Sequence, residues 1–89
     1  MSFSALEVAI WMKETVEKDG FLYQDVAASE IASRFGDSFT YINDNGNLAI
    51  DQAVLKEFKK QTGDSAIWER GQRLWRKRES YDLPGRQQP

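Results

Sequence analysis

Two tryptophans and five cations share eleven residues near the end of this chain: Trp68-Glu69-Arg70-Gly71-Gln72-Arg73-Leu74-Trp75-Arg76-Lys77-Arg78. Guanidinium groups pair with phosphates or carboxylates through charge-assisted bonds, and indoles supply stacking or anchoring area. Arg70, Arg73 and Arg76 are therefore candidates for contact with nucleic acid or with an acidic protein. Gln52, Lys56, Lys59 and Lys60, on the polar side of a helical pattern, extend the candidate surface. A competing assignment places both indoles in the core and leaves the cations to cover a strand's outer face or to pair with the acidic first helix. It has weight because a small domain needs its large side chains inside.

Other chemistries are poorly represented. The chain has no histidine, which removes imidazole nucleophile triads, imidazole metal ligation and the commonest general acid-base group. Asp37, Asp44 and Asp51 supply carboxylates that could converge, yet each sits where helix caps and turns favour aspartate. Asn43-Asp44-Asn45-Gly46 invites comparison with a calcium loop. Aligning Gly46 with the sixth position puts Tyr41 at the first and Gln52 at the twelfth, where carboxylates are needed. Glycines 20, 36, 46, 63, 71 and 85 are dispersed singly, so none builds a phosphate-cradling loop. The expectation is a non-enzymatic protein without metal or small-molecule cofactor.

Composition sets the scale. A chain of 89 residues fits one domain and buries only roughly 60 to 65% of the surface its unfolded form exposes. Without cysteine it has no disulfides, which suits a reducing cytosol. The first residues lack a signal peptide's basic start and apolar run, and no stretch approaches the ~20 apolar residues of a membrane span. A soluble cytoplasmic protein is expected. Charge is unevenly divided: residues 1–64 hold 6 cations against 11 carboxylates, net -5, and residues 65–89 hold 6 against 3, net +3. Dedicated DNA binders usually carry a larger basic excess, because phosphate neutralisation supplies most non-specific affinity.

The elements that must position these residues can be read from pattern. Ser4-Ala5-Leu6-Glu7 is a capping box, and Ala5, Val8, Ala9, Met12 and Val16, widened by Leu6 and Ile10, draw an apolar stripe up to Gly20. Trp11 falls outside that stripe and is expected to pack under a neighbouring element or to belong to a functional surface. Phe21-Leu22-Tyr23 reads as a short strand, and a second helix follows with Asp25 as cap, the stripe Ala28, Ile31, Ala32, Phe35, and Gly36 as stop. Residues 39–42 and 48–50 flank a turn cluster and predict a small hairpin. Asp51 caps a third helix with Val54, Leu55 and Phe58 inward, ending at Thr62-Gly63. Residues 66–69 and 72–77 read as two strands joined at Arg70-Gly71. A helical reading repeats Ile67 with Leu74 and Trp68 with Trp75, but Gly71 in a helix interior costs about 1 kcal/mol against alanine. The domain is expected over residues 1–80, with a disordered tail over 81–89.

Helix, short strand, helix, connection, helix and terminal hairpin is an order that resembles the winged-helix superfamily, and implies an α+β, winged-helix-like fold. The strings Gly46-Asn47-Leu48-Ala49-Ile50 and Trp75-Arg76-Lys77-Arg78-Glu79 are also similar to those of a small bacterial domain family without an assigned activity. In winged-helix DNA binders the third helix enters the major groove and the wing touches backbone or minor groove. That resemblance implies Gln52, Lys56, Lys59 and Lys60 as groove-facing residues, with Arg70 and Arg73 on the wing. The chain departs from the plan at residues 37–50, where a helix-turn-helix has a three- or four-residue turn. The acidic pI of about 5.1 favours the alternative, a protein-interaction or self-association domain that does not touch nucleic acid.

Overall fold

The first helix, α1 (Ala5–Asp19), starts where the capping box puts it in a computed structural model that describes residues 3–63, 65–79 and 87–88. The Glu7 amide donates to Ser4 Oγ (3.2 Å) and the Ser4 hydroxyl donates to the Glu7 carboxylate (3.3 Å). The glutamate thus takes the hydroxyl instead of the N-cap amide. Gly20, at φ 88°, closes the helix by donating to the Val16 carbonyl, a left-handed conformation that costs glycine little. Val8, Ala9, Met12 and Val16 are buried as the stripe requires. Leu6 and Ile10 are exposed, contrary to expectation. At 3.6 residues per turn they lie roughly 100 to 150° from the middle of the buried stripe, beyond the width one packing partner covers.

Strand β1 (Phe21–Tyr23) runs straight into α2 (Gln24–Phe35). The helix begins before Asp25, so the expected cap is a first-turn residue, its carboxylate accepting the Val26 amide at 2.9 Å. The cap position is Tyr23, whose side chain makes no capping bond; the Gln24 amide instead donates to the Arg73 carbonyl at 3.0 Å, so a neighbouring segment satisfies the helix start. Ala27, Ala28 and Ile31 are fully buried, while Ala32 and Phe35 are half-buried. What approaches the small alanine face is mainly a strand, β3.

After a 3-10 turn (Asp37–Phe39), β2 (Thr40–Ile42) and β3 (Leu48–Ile50) form the anticipated hairpin, with Tyr41 opposite Ala49. Asn43 builds its turn: Oδ1 accepts the amides of Asn45 and Asn47, both at 3.0 Å. Helix α3 (Gln52–Thr62) has Asp51 at its cap position, but the carboxylate makes no capping bond; the Asp51 carbonyl accepts from Val54 and Leu55. Val54 and Phe58 are buried and Leu55 half-buried.

The ambiguous last segment is a hairpin. Strands β4 (Ala66–Glu69) and β5 (Leu74–Lys77) pair antiparallel across a turn at 70–73. Strand β6 (Gln87–Gln88) runs parallel to β4, giving the sheet order β1-β5-β4-β6. Of the tail expected to be disordered, residues 81–86 and 89 lie outside the described residues. Among the described residues, three α-helices with small, mostly antiparallel sheets make the protein α+β. Strand alternation puts Leu22, Ala66, Trp68 and Trp75 on the sheet face toward α1 and α3, and Phe21, Tyr23, Ile67, Leu74 and Arg76 on the reverse. The helix-side set merges with the stripes of all three helices into one apolar cluster. Helix α3 packs chiefly on α1, and α2 chiefly on β3.

Candidate functional site

The indoles at 68 and 75 stand directly opposite each other, with ring centroids 4.8 Å apart, and Trp75 meets Phe58 of α3 edge-on at 5.5 Å. Trp75 is only 6% exposed, so its area is used for packing and not for a ligand. On the reverse face Arg76 Nε lies 3.3 Å from the Glu69 carboxylate, both side chains half-buried, and Nη1 donates to the Lys77 carbonyl at 3.2 Å. Arg76 is therefore held by its own sheet.

The remaining cationic candidates divide into two groups. Gln52, Lys56, Lys59 and Lys60 are exposed on α3, and Lys60 Nζ sits 3.6 Å from Glu57 Oε1. Arg70 and Arg73 are exposed in the turn at 70–73. Lys59 and Lys60 belong to the last turn of α3, just before β4 begins, whereas the arginine turn lies beyond the far end of that strand. Four strand residues, about 13 Å, intervene.

Apolar exposure is what the sequence reading missed. Three groups stand out: Phe3, Leu6 and Ile10 along α1; Phe21, Tyr23 and Val26 around β1; and Tyr41, Ile42 and Leu48 on the inserted hairpin. Ile42 is 64% exposed and pairs across the hairpin with Leu48. Phe21 and Tyr23 meet edge-to-face at 5.6 Å and, with Val26, line a groove of about 500 Å³ between α1 and α2. Trp11 lines the same groove, half-buried, edge-on to Phe35 at 6.0 Å and with the Arg34 guanidinium 5.6 Å from its ring. Glu30 fixes that guanidinium at 2.7 Å. Strand β1 is also a sheet edge. The bonds from Lys77 to Gly20 (3.4 Å) and from Gln24 to Arg73 set its phase, so the main-chain groups of Phe21 and Tyr23 face away from β5. The available signal was alternation: Leu22 is the one inward residue of a three-residue strand, which leaves both flanking aromatics outside.

A second recess, a polar cleft of about 440 Å³, forms where the start of α2, the inserted hairpin and the turn at 70–73 meet. Gln24, Ser29, Asn43, Asn47, Gln72 and Arg73 line it, with Tyr23, Asp25 and Leu48. Arg73 has φ 56°, the single non-glycine residue at positive φ among the described residues, and its amide donates to the Glu69 carbonyl at 2.8 Å. Among the described residues no three carboxylates gather as metal ligands, and no helix is long and apolar enough to cross a membrane.

A family model covers residues 4–77, from the N-cap of α1 to the end of β5. The chain belongs to a family of unknown function, DUF6953. No curated protein and no solved structure matches it. The DUF6953 match meets the expectation of a small family without an assigned activity, and it coincides with the elements that build the core, the inserted hairpin included.

Proposed function

We propose that this protein is a non-enzymatic interaction module that engages a protein partner through its exposed apolar groups. One observation carries the reading: among the described residues nine large apolar side chains remain exposed, gathered at and before α1, around β1 and on the inserted hairpin, in a chain of acidic pI. Scattered apolar residues are ordinary on protein surfaces, whereas grouped ones rimmed by charge mark contact sites. The absence of histidine and cysteine is consistent with a binding role.

A second reading, winged-helix nucleic-acid binding, draws on one specific feature. Strand β1 joins the C-terminal hairpin through β5, so that helix-strand-helix-helix-hairpin closes into one sheet, as a winged-helix plan requires. Gln52, Lys56, Lys59, Lys60, Arg70 and Arg73 would then face the nucleic acid. Against it stand the separation of the lysine and arginine groups, the internal pairing of Arg76, and the hairpin between α2 and α3.

Two measurements decide. Fluorescence anisotropy with duplex DNA at low salt is expected to show no saturable binding; tight, salt-sensitive binding weakened by Lys56→Ala or Arg73→Ala favours the second reading. A protein partner co-purified from host cells should survive Lys59→Ala and be lost on combining Phe21→Ser with Ile42→Ser. Loss with Lys59→Ala and retention in the double variant overturns the apolar interface.

A further inference from the structure

We infer that the polar cleft beside Arg73 is a binding site for a peptide chain end, with Arg73 receiving the terminal carboxylate and the surrounding amides reading the adjoining backbone. This rests on the interaction-module reading and specifies the partner's chemistry at a second place on the same molecule.

Conformation supplies the first argument. The turn at 70–73 closes through the Arg73 amide and places that residue at φ 56°. Glycine or asparagine occupies this region at low cost, while arginine, like other residues with a Cβ, enters it less readily. An arginine kept in a glycine conformation points to a use for its side chain.

Composition of the walls supplies the second. Four primary amides, Gln24, Asn43, Asn47 and Gln72, line the cleft with Arg73, and those of Gln24, Asn47 and Gln72 each offer both a donor and an acceptor, the pairing a peptide unit presents. Asn43 Oδ1 is committed to its own turn. Among the described residues no side-chain hydrogen bond or ion pair engages Gln24, Ser29, Asn47, Gln72 or Arg73. Asp25 opposes an anion: one of its oxygens accepts the Val26 amide at 2.9 Å, and its charge stays at the rim of the cleft. Tyr23 and Leu48 add an apolar wall for the last side chain. Arginine binds a carboxylate in fork geometry, and the volume of about 440 Å³ falls within the range of ligand pockets. Capture of a chain terminus is a known mode of peptide recognition.

The test is an amide-resolved NMR titration of the isotope-labelled full chain with N-acetyl-Ala-Leu as free acid, the same dipeptide as C-terminal amide, and inorganic phosphate. The acid is expected to give saturable shifts at Gln24, Ser29, Asn47 and Arg73, at least tenfold tighter than either comparison ligand. Arg73→Gly is expected to leave the thermal midpoint unchanged or raised while weakening the acid at least tenfold, the opposite signs of a binding residue and a structural one. Equal affinity for acid and amide, phosphate binding as tight as the acid, shifts elsewhere, or no saturable shifts overturns the site. Retained peptide binding by a folded Arg73→Gly protein overturns the role of Arg73. If the partner captured through Phe21 and Ile42 persists while the cleft is silent, only this inference fails.

Discussion

The two hairpins of this protein are built from similar residues and use them in opposite ways. In the C-terminal pair, Trp68 and Trp75 face each other and turn toward α3, and β1 extends the pair into a larger sheet. In the inserted pair, Ala49 and Ile50 are buried, but Ile42 and Leu48, which flank its turn, are exposed, as is Tyr41. A lone two-stranded hairpin has little stability of its own, so the second depends on its inner residues leaning on α2. One hairpin spends its aromatic area on folding; the other leaves apolar area available for a partner.

Substitutions can break this contrast. Trp75→Ala is expected to cost the most, about 3 to 5 kcal/mol, because it empties the contact with Phe58 and unpairs Trp68; urea unfolding measures it. Ile50→Ala, at the anchored end of the inserted hairpin, is expected to lose about 2 to 5 kcal/mol in the same assay. A loss below that range would mean the hairpin is a loosely attached flap. Asn43→Ala removes an acceptor of two turn amides and should cost about 1 kcal/mol, with faster hydrogen exchange at Asn45 and Asn47. Glu69→Gln weakens the pair with Arg76 and is expected to cost up to about 1 kcal/mol, reduced further by added salt. Ile42→Ser should change stability by no more than about 0.5 kcal/mol while reducing capture of a partner.

Local signals made much of this fold legible. The capping box, the single glycines after helices and the asparagine-rich turn each act within a few residues, and the helix and hairpin boundaries follow them closely. Misreadings came from contacts made across the chain. Asp25 looked like a cap because nothing in its neighbourhood shows that the Arg73 carbonyl takes that task. Leu6 and Ile10 looked inward because a stripe's width depends on the partner it meets, and α3 covers only part of α1. The candidate surface was less legible than the fold. Residue type located the cations, but Arg76 is removed from it by Glu69 across the sheet, and the lysines and arginines are separated by the length of β4. Apart from the alternation about Leu22, the exposed apolar groups left little trace in the sequence, since the same residues would serve equally well in a core.

Site-specific photo-crosslinking in host cells addresses the account most directly. A photoreactive residue replaces Ile42, Phe21 or Lys59 in turn, in otherwise unchanged protein. Discrete protein adducts are expected from positions 42 and 21, and none from 59. Nucleic-acid adducts from position 59, with the apolar positions silent, would contradict it.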